Sequence, residues 1–300
     1  MAALPEFLWV LFTVTASTAQ TARNAMQRDL IATLGAAGAT HVRFLFGLPF
    51  AAMFLAIEYF GFGMVPPPLN GQAFQWVFIG ATAQMAATGL MLAAMRDRSF
   101  VVTIAYTKTE PVIIALFAVA VLGEIPSPMV ALAIVIATIG VMLMSWPRAG
   151  EGNAPGWKPA LLGIGGGAFF ALSAVGYRGG ILRFYAESFV SAATTALVTG
   201  LVIQCAMILV WLTLFDRALL GKIFRAWRPS IFAGFMGAFA SQCWFLAFAT
   251  STAAKVRTLG LIEVPMAQIV TRKLFEQGVT MREYAGIGLI VTGVIMLVNG

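Results

Sequence analysis

The stretch Thr107-Lys108-Thr109-Glu110-Pro111 puts a cation, a carboxylate and a helix-bending proline inside a run, 100–122, that is otherwise apolar enough to lie in lipid. On insertion scales a charge at a bilayer centre costs about 2.5–3.5 kcal/mol, so such residues face a water-filled cavity or a partner and mark functional positions. A looser copy follows at Lys255, Arg257, Glu263 and Pro265. The cations can attract an anionic group, and the glutamates can titrate. A regular helix sends positions two apart in directions about 200° apart, so Lys108 and Glu110 cannot share a cavity unless the chain bends. Pro111 offers that bend, because it removes an amide donor and frees the carbonyl of Thr107. Thr103, Tyr106 and Thr107 share the Glu110 face.

The elements that must position these residues are membrane helices. Of 300 residues 60% are hydrophobic and 10% are charged, with a mean hydropathy of +0.89, whereas soluble domains carry about 25% charged residues. A spanning helix needs about 20 apolar residues. Ten runs qualify, at 5–22, 34–58, 72–95, 100–122, 128–146, 159–178, 188–214, 230–249, 252–274 and 282–298. The first lacks a basic leader and carries Glu6, which reads as a retained helix rather than a secretory signal.

The connection 147–159 is rich in Pro, Gly, Asn and mixed charge and divides the chain into halves. Glu110-Pro111, Leu122-Gly123-Glu124 and Gly140-Val141 answer to Glu263-Val264-Pro265, Leu274-Phe275-Glu276 and Gly293-Val294. With five helices per half, the second copy enters the membrane upside down. The expected fold class is therefore all-α: a polytopic membrane protein of ten transmembrane helices in two inverted five-helix repeats. The repeats are 1–148 and 159–300, with a cytoplasmic linker at 149–158. Inverted repeats place a substrate site between them near the midplane and support alternating access.

Loops after odd-numbered helices hold Arg23, Arg28, Arg96, Arg98, Arg148, Lys158, Arg217, Lys222, Arg225, Arg228, Arg272, Lys273 and Arg282, against Arg178 and Arg183 on the other side. The positive-inside rule then places both termini outside. Small residues four apart, Gly163 and Gly167, Ala83 and Ala87, Ala233 and Gly237, allow close helix packing.

Within the spans Arg43, Lys108, Lys255 and Arg257 stand against Glu110 and Glu263, while Glu6, Glu58, Glu124 and Glu276 fall at helix ends where water or headgroups solvate them. Two outcomes are open for the interior charges. They line a solvated pathway, or they close an interhelical salt bridge such as Lys108 with Glu263, with Arg43, Lys255 and Arg257 snorkelling to the interface. Gln20, Gln84, Tyr177 with Ser173, and Gln242 with Trp244 are softer candidates for the pathway wall. His41 reads as interfacial. Cys205 and Cys243 read as buried hydrophobes. No nucleotide-binding glycine loop, metal-ligand spacing or Ser/His/Asp arrangement occurs, so neither enzymatic chemistry nor a cofactor is expected. The net charge of +7 is spread over loops rather than gathered into a nucleic-acid patch.

The layout, Arg43 in the second helix, and Pro111 with Leu122-Gly123-Glu124, echoed by Pro265 and Glu276, resemble the drug/metabolite transporter superfamily in its ten-helix, EamA-type form. The resemblance implies a secondary transporter of a bacterial inner membrane, often an exporter of amino acids or related metabolites, with a central cavity. The implied partners are a small-molecule substrate, membrane lipid and protons as a coupling ion. The charges at Lys108, Glu110, Lys255 and Arg257 argue against a purely hydrophobic substrate. The reading that follows is efflux of a small amphipathic metabolite bearing a carboxylate or other anionic group. Lys108 with Lys255 or Arg257 would attract the anion, Tyr106 and Trp244 would contact its apolar part, and Glu110 or Glu263 would carry a coupled proton. Uptake of a vitamin or organic phosphate, and efflux of cationic drugs through the two glutamates, remain alternatives.

Overall fold

The computed structural model describes residues 7–97, 107–144, 157–266 and 280–300. Among them the chain is helical and has no strand. The helices are α1 (Leu8–Leu45), α2 (Leu48–Phe62), α3 (Gly71–Asp97), α4 (Glu110–Phe117, continued by a π-helical turn Ala118–Leu122), α5 (Pro128–Met144) and α6 (Trp157–Ile181). They continue with α7 (Phe189–Phe215), α8 (Arg217–Arg225), α9 (Trp227–Thr250), α10 (Ala253–Leu259, continued by a 3₁₀ turn Gly260–Ile262) and α11 (Met281–Asn299). Five stretches among the described residues are long and apolar enough to cross a membrane: Ala37–Phe62, Leu161–Ile181, Phe189–Phe215, Trp227–Thr250 and Met281–Asn299.

Helix ends follow local chemistry. Ser188, Asp216, Thr252 and Thr280 each accept a backbone N–H at the start of α7, α8, α10 and α11, and Thr280 and Glu283 form a reciprocal capping box. Gly63 and Gly123, at φ 66° and 70°, close α2 and the π turn after α4 in the left-handed conformation that glycine adopts without strain. This gives the glycine of the Leu122-Gly123-Glu124 motif its role: it stops the helix.

One expected loop is helix. The chain stays helical through 23–33, and the break between the first two apolar runs falls at Gly35 (φ 69°, ψ 172°). The segment 23–34 contains neither Gly nor Pro, and it buries Leu30 and Leu34, so it continues the helix rather than forming a connection. Arg23, expected in a cytoplasmic loop, is accordingly a buried helical residue at 6% exposure. The connection expected between 214 and 230 likewise holds α8, whose basic Arg217, Lys222 and Arg225 accompany the buried Ile223.

The chain forms two compact units. The first comprises Met1–Thr82 and Gly176–Thr250, the second Ala83–Val175 and Ser251–Gly300. In the first, α9 packs along α1, and α2 packs on α7 and α9. A Cβ on Gly234 would lie 2.5 Å from Phe46 Cβ, and one on Gly176 would lie 2.7 Å from the backbone nitrogen of Gly80, so these contacts require glycine. In the second unit α5 packs against α11, with facing residues that run in opposite directions: Met144 with Gly286, Gly140 with Ile290, Ala137 with Gly293. The two helices are therefore antiparallel, and Ala137, Val141 and Ile290 form the core between them.

A Cβ on Gly140 would sit 2.8 Å from the carbonyl oxygen of Gly286 and 2.9 Å from the nitrogen of Ile290, both backbone atoms that cannot swing aside. Gly140→Leu is expected to destabilise the protein by about 1–3 kcal/mol, as overpacking does. Gly288→Ala, whose Cβ meets nothing within 4 Å, leaves stability unchanged or raises it. Thermal unfolding of the purified variants in detergent checks both outcomes.

Candidate functional site

The polar stretch does not run through a regular helix. Lys108 and Thr109 form a turn, and α4 starts afresh at Glu110 with Pro111 in its first turn. There the missing N–H of proline costs no helical hydrogen bond. Proline thus acts by starting a helix rather than by bending one that passes through. The turn is seated against α6. A Cβ on Gly167 would lie 3.0 Å from the carbonyl oxygen of Thr107 and 3.4 Å from Thr109 Oγ1, and one on Gly166 would lie 3.6 Å from Thr107 Cγ2. Gly167, expected to serve packing, therefore packs the charged turn itself, and Thr107 is buried beneath it.

The partner element is also broken. α10 is followed at Gly260–Ile262 by a 3₁₀ turn, after which 263–266 are helical again. Pro265 clashes with α-helical geometry at the carbonyl four residues earlier, which accounts for the tighter turn at that point. On an uninterrupted α-helix Arg257 and Glu263 would point about 120° apart. Three 3₁₀ steps of about 120° each reduce this to about 60°.

The two breaks bring four charges into two ion pairs inside the second unit. Arg257 donates to both carboxylate oxygens of Glu110, Nε to Oε1 at 2.8 Å and Nη2 to Oε2 at 3.0 Å. Lys108 Nζ donates to Oε1 of Glu263. Each glutamate therefore pairs with the cation of the other stretch. Lys108 and Glu110 both meet the 253–263 segment, which a regular helix would have forbidden. Arg257 does not snorkel: its side chain is 20% exposed and that of Glu110 is 8% exposed, against 15% for both members of the lysine pair. The fork of the guanidinium matches a carboxylate in plane, whereas the ammonium makes a single point contact. The arginine pair is thus the firmer link and the lysine pair the more exchangeable one.

Lys255 lies two positions from Arg257 on the regular part of α10, about 160° round the helix. It is half-buried, and its side chain makes no hydrogen bond or ion pair among the described residues. Gln84 stands half-buried on α3 in the same unit. Tyr106 and the second-repeat Glu276 lie outside the described residues.

Gln20, Tyr177, Gln242 and Trp244 belong to the first unit. Trp244 Nε1 donates to Gln20 Oε1 at 3.2 Å, and Gln242 Nε2 donates to Thr194 Oγ1 at 2.6 Å. The Tyr177 hydroxyl accepts from Gln204 Nε2 at 3.0 Å, with its ring against Gly200 and Phe245. Among the described residues no group of three His, Cys, Asp or Glu side chains assembles to hold a metal.

Residues 7–146 match the EamA-like transporter family. That family is part of the drug/metabolite transporter superfamily. The chain is a multi-pass membrane transporter of the drug/metabolite type. A solved structure described as "Crystal structure of protein" shares the fold of this chain. The two are 16% identical, with a TM-score of 0.68 over 96% of this chain and 95% of that one. No curated protein sequence matches the chain.

Sequence reasoning passed over Glu58 in this transporter. It was placed at a solvated helix end, but α2 continues to Phe62 and Glu58 is buried at 8% exposure. The signal was present in the apolar residues that follow it, Tyr59, Phe60 and Phe62, and in Gly63, a C-cap glycine that sets the helix end one turn later.

Removing one partner of a buried ion pair costs about 3–5 kcal/mol, whereas replacing both by apolar residues is often neutral. Arg257→Met is therefore expected to cut stability and folded yield sharply, and Arg257→Met with Glu110→Leu to recover most of the loss. Lys108→Met, at the pair held by a single contact, costs less. Unfolding midpoints of these variants in detergent measure the ranking.

Proposed function

We propose that the chain is a secondary transporter of a bacterial inner membrane that exports a small amphipathic metabolite carrying a carboxylate or similar anionic group. It does so by alternating access between two inverted five-helix repeats, 1–148 and 159–300, joined by a cytoplasmic linker at 149–158, with both termini outside. The observation that carries the reading is the reciprocal pairing of Lys108 with Glu263 and of Arg257 with Glu110. Each cation already holds a carboxylate, so a substrate carboxylate replaces like with like. It takes over Lys108 as Glu263 lets go, so the cation stays paired throughout, and the released Glu263 takes up a proton or another cation. The exchange couples binding to movement because it cuts a link between the two broken helices, and a ligand shifts an equilibrium only through contacts that differ between its states.

The inverted layout has its own support. The acid of one stretch meets the base of the other, as two copies related by a two-fold axis would arrange them. The glycines taken as equivalent, Gly140 and Gly293, both lie in the seam between the antiparallel α5 and α11. An excess of cation favours an anionic substrate over a cationic drug: Lys108, Lys255 and Arg257 stand against Glu110 and Glu263, and both glutamates are engaged.

Uptake of labelled amino acids, organic phosphates and cationic dyes into proteoliposomes, with and without a pH gradient, tests the reading. The expected outcome is transport of a carboxylate-bearing solute, reduced at least tenfold by Lys108→Met in protein that remains folded. Cationic-dye transport that survives Lys108→Met and is lost in Glu110→Gln or Glu263→Gln would replace this reading with the drug-efflux one.

A further inference from the structure

With Glu110 and Glu263 both committed to cations, neither is free to shuttle a proton without breaking an ion pair. The first unit holds a carboxyl with no such commitment. Glu58 is buried on α2, and Thr194 of α7 is its hydrogen-bonding partner among the described residues. Around Thr194 the donors and acceptors can be counted. Its Oγ1 lies within hydrogen-bond distance of Glu58 Oε1, of the Val190 carbonyl at 3.0 Å and of Gln242 Nε2 at 2.6 Å. A hydroxyl has one hydrogen and two acceptor sites.

If Glu58 is ionised, both Glu58 and the Val190 carbonyl are acceptors competing for that one hydrogen, and a bare carboxylate is enclosed in the membrane. If Glu58 is protonated, every contact is satisfied. The acid O–H and the Gln242 amide donate to Thr194 Oγ1, and the Thr194 hydroxyl donates to Val190. The other oxygen of Glu58, buried and without a partner, is then a neutral carbonyl, for which burial costs far less than for a charge.

Among the described residues no cation pairs with this group. The helices that pack most closely on α2 are α7 and α9. α7 carries no acid or base along Phe189–Phe215, and its one titratable side chain, Cys205, donates to the Phe44 carbonyl at 3.3 Å. α9 contributes Cys243, next to Gln242, and Arg228, which lies over the Trp227 ring at the opposite end of the helix. On α2 itself the other titratable group is the exposed Tyr59. Glu58 is four residues from Phe62, about 6 Å of helical rise from the end of α2, so a proton has one helical turn to cross.

We propose that Glu58, closed by Thr194 and Gln242, is a proton-binding site of this protein, and that it supplies the coupling proton. The coupling role rests on the transport reading above; the proton binding does not. Infrared spectroscopy of the full chain in lipid, read at the carboxylic-acid C=O band and its deuterium shift, tests the binding directly and needs no substrate. A protonated-carboxyl band is expected at neutral pH, lost in Glu58→Gln and retained in Glu110→Gln and Glu263→Gln. Thr194→Val keeps the carboxyl, so the band must stay and move to higher frequency as its hydrogen bond is lost, which holds the assignment even if Glu58→Gln folds poorly. Absence of the band in the native protein, its survival in Glu58→Gln, or its loss on adding sodium in place of choline at constant pH would overturn the proposal. Absence of transport for every solute in the panel would count against the transport reading and leave the infrared result standing.

Discussion

The constraint on which this structure depends is that formal charge within a membrane must be neutralised by geometry, because water cannot do it. Lys108, Glu110, Arg257 and Glu263 would each be costly in lipid, and the chain meets the cost by breaking two helices where the charges fall. The turn at 108–109 and the 3₁₀ turn at 260–262 redirect side chains that regular helices would scatter. The first break needs room, which Gly166 and Gly167 provide on α6. The prolines belong to the same economy. Pro111 starts a helix just after the pair of charges, and Pro265 forces the tighter turn just before it. Local chemistry, backbone irregularity and ion pairing are thus one feature seen at three scales.

Much of this was legible in the sequence because it rests on residue type. Charges in an apolar run, a proline beside each acid and a second copy downstream identified the stretch, and the pairing of Lys108 with Glu263 stood among the open outcomes. Helical geometry also showed that Lys108 and Glu110 needed a break to act together. What could not be read was the direction of the break and the choice of partner: for Arg257 a place on a solvated pathway and snorkelling to the interface both stood open, and it grips Glu110. Partner choice depends on which residues of distant segments meet, and no local pattern encodes that. The helix through 23–33 was missed for another reason. Polar residues there were read as a connection, although absence of Gly and Pro, with Leu30 and Leu34 four apart, is the pattern of one buried helical face.

Glu58 shows how a position-based rule fails. An acid near the end of an apolar run is normally solvated, and the rule gave the wrong environment here because the helix end was set four residues early. Its partners, Thr194 and Gln242, come from helices more than a hundred residues away in sequence, and Thr194 looks like an ordinary small polar residue in an apolar helix. The polar groups of the two units differ in kind as well. In the second unit Lys108, Glu110, Arg257 and Glu263 form two ion pairs. In the first, Gln20 with Trp244, Tyr177 with Gln204, and Glu58 with Thr194 and Gln242 form hydrogen-bonded sets without an ion pair, and of these three the Glu58 set alone holds a carboxyl.

Within the second unit, stiff and exchangeable contacts are built from different chemistry. The seam between α5 and α11 places backbone against backbone at Gly140, Gly286 and Gly293, and a contact of that closeness has one arrangement, since neither side has a side chain to repack. Arg257 and Glu110 are joined by two parallel hydrogen bonds in a buried plane, and separating them exposes both ends of a fork. The Lys108 and Glu263 pair is a single contact between a flexible ammonium stem and one carboxylate oxygen, and another carboxylate can replace that oxygen without reshaping the site. A two-state transporter needs at least one contact whose loss costs little once a substitute has arrived. By geometry and chemistry, Lys108 with Glu263 is the pair in this unit that meets that requirement.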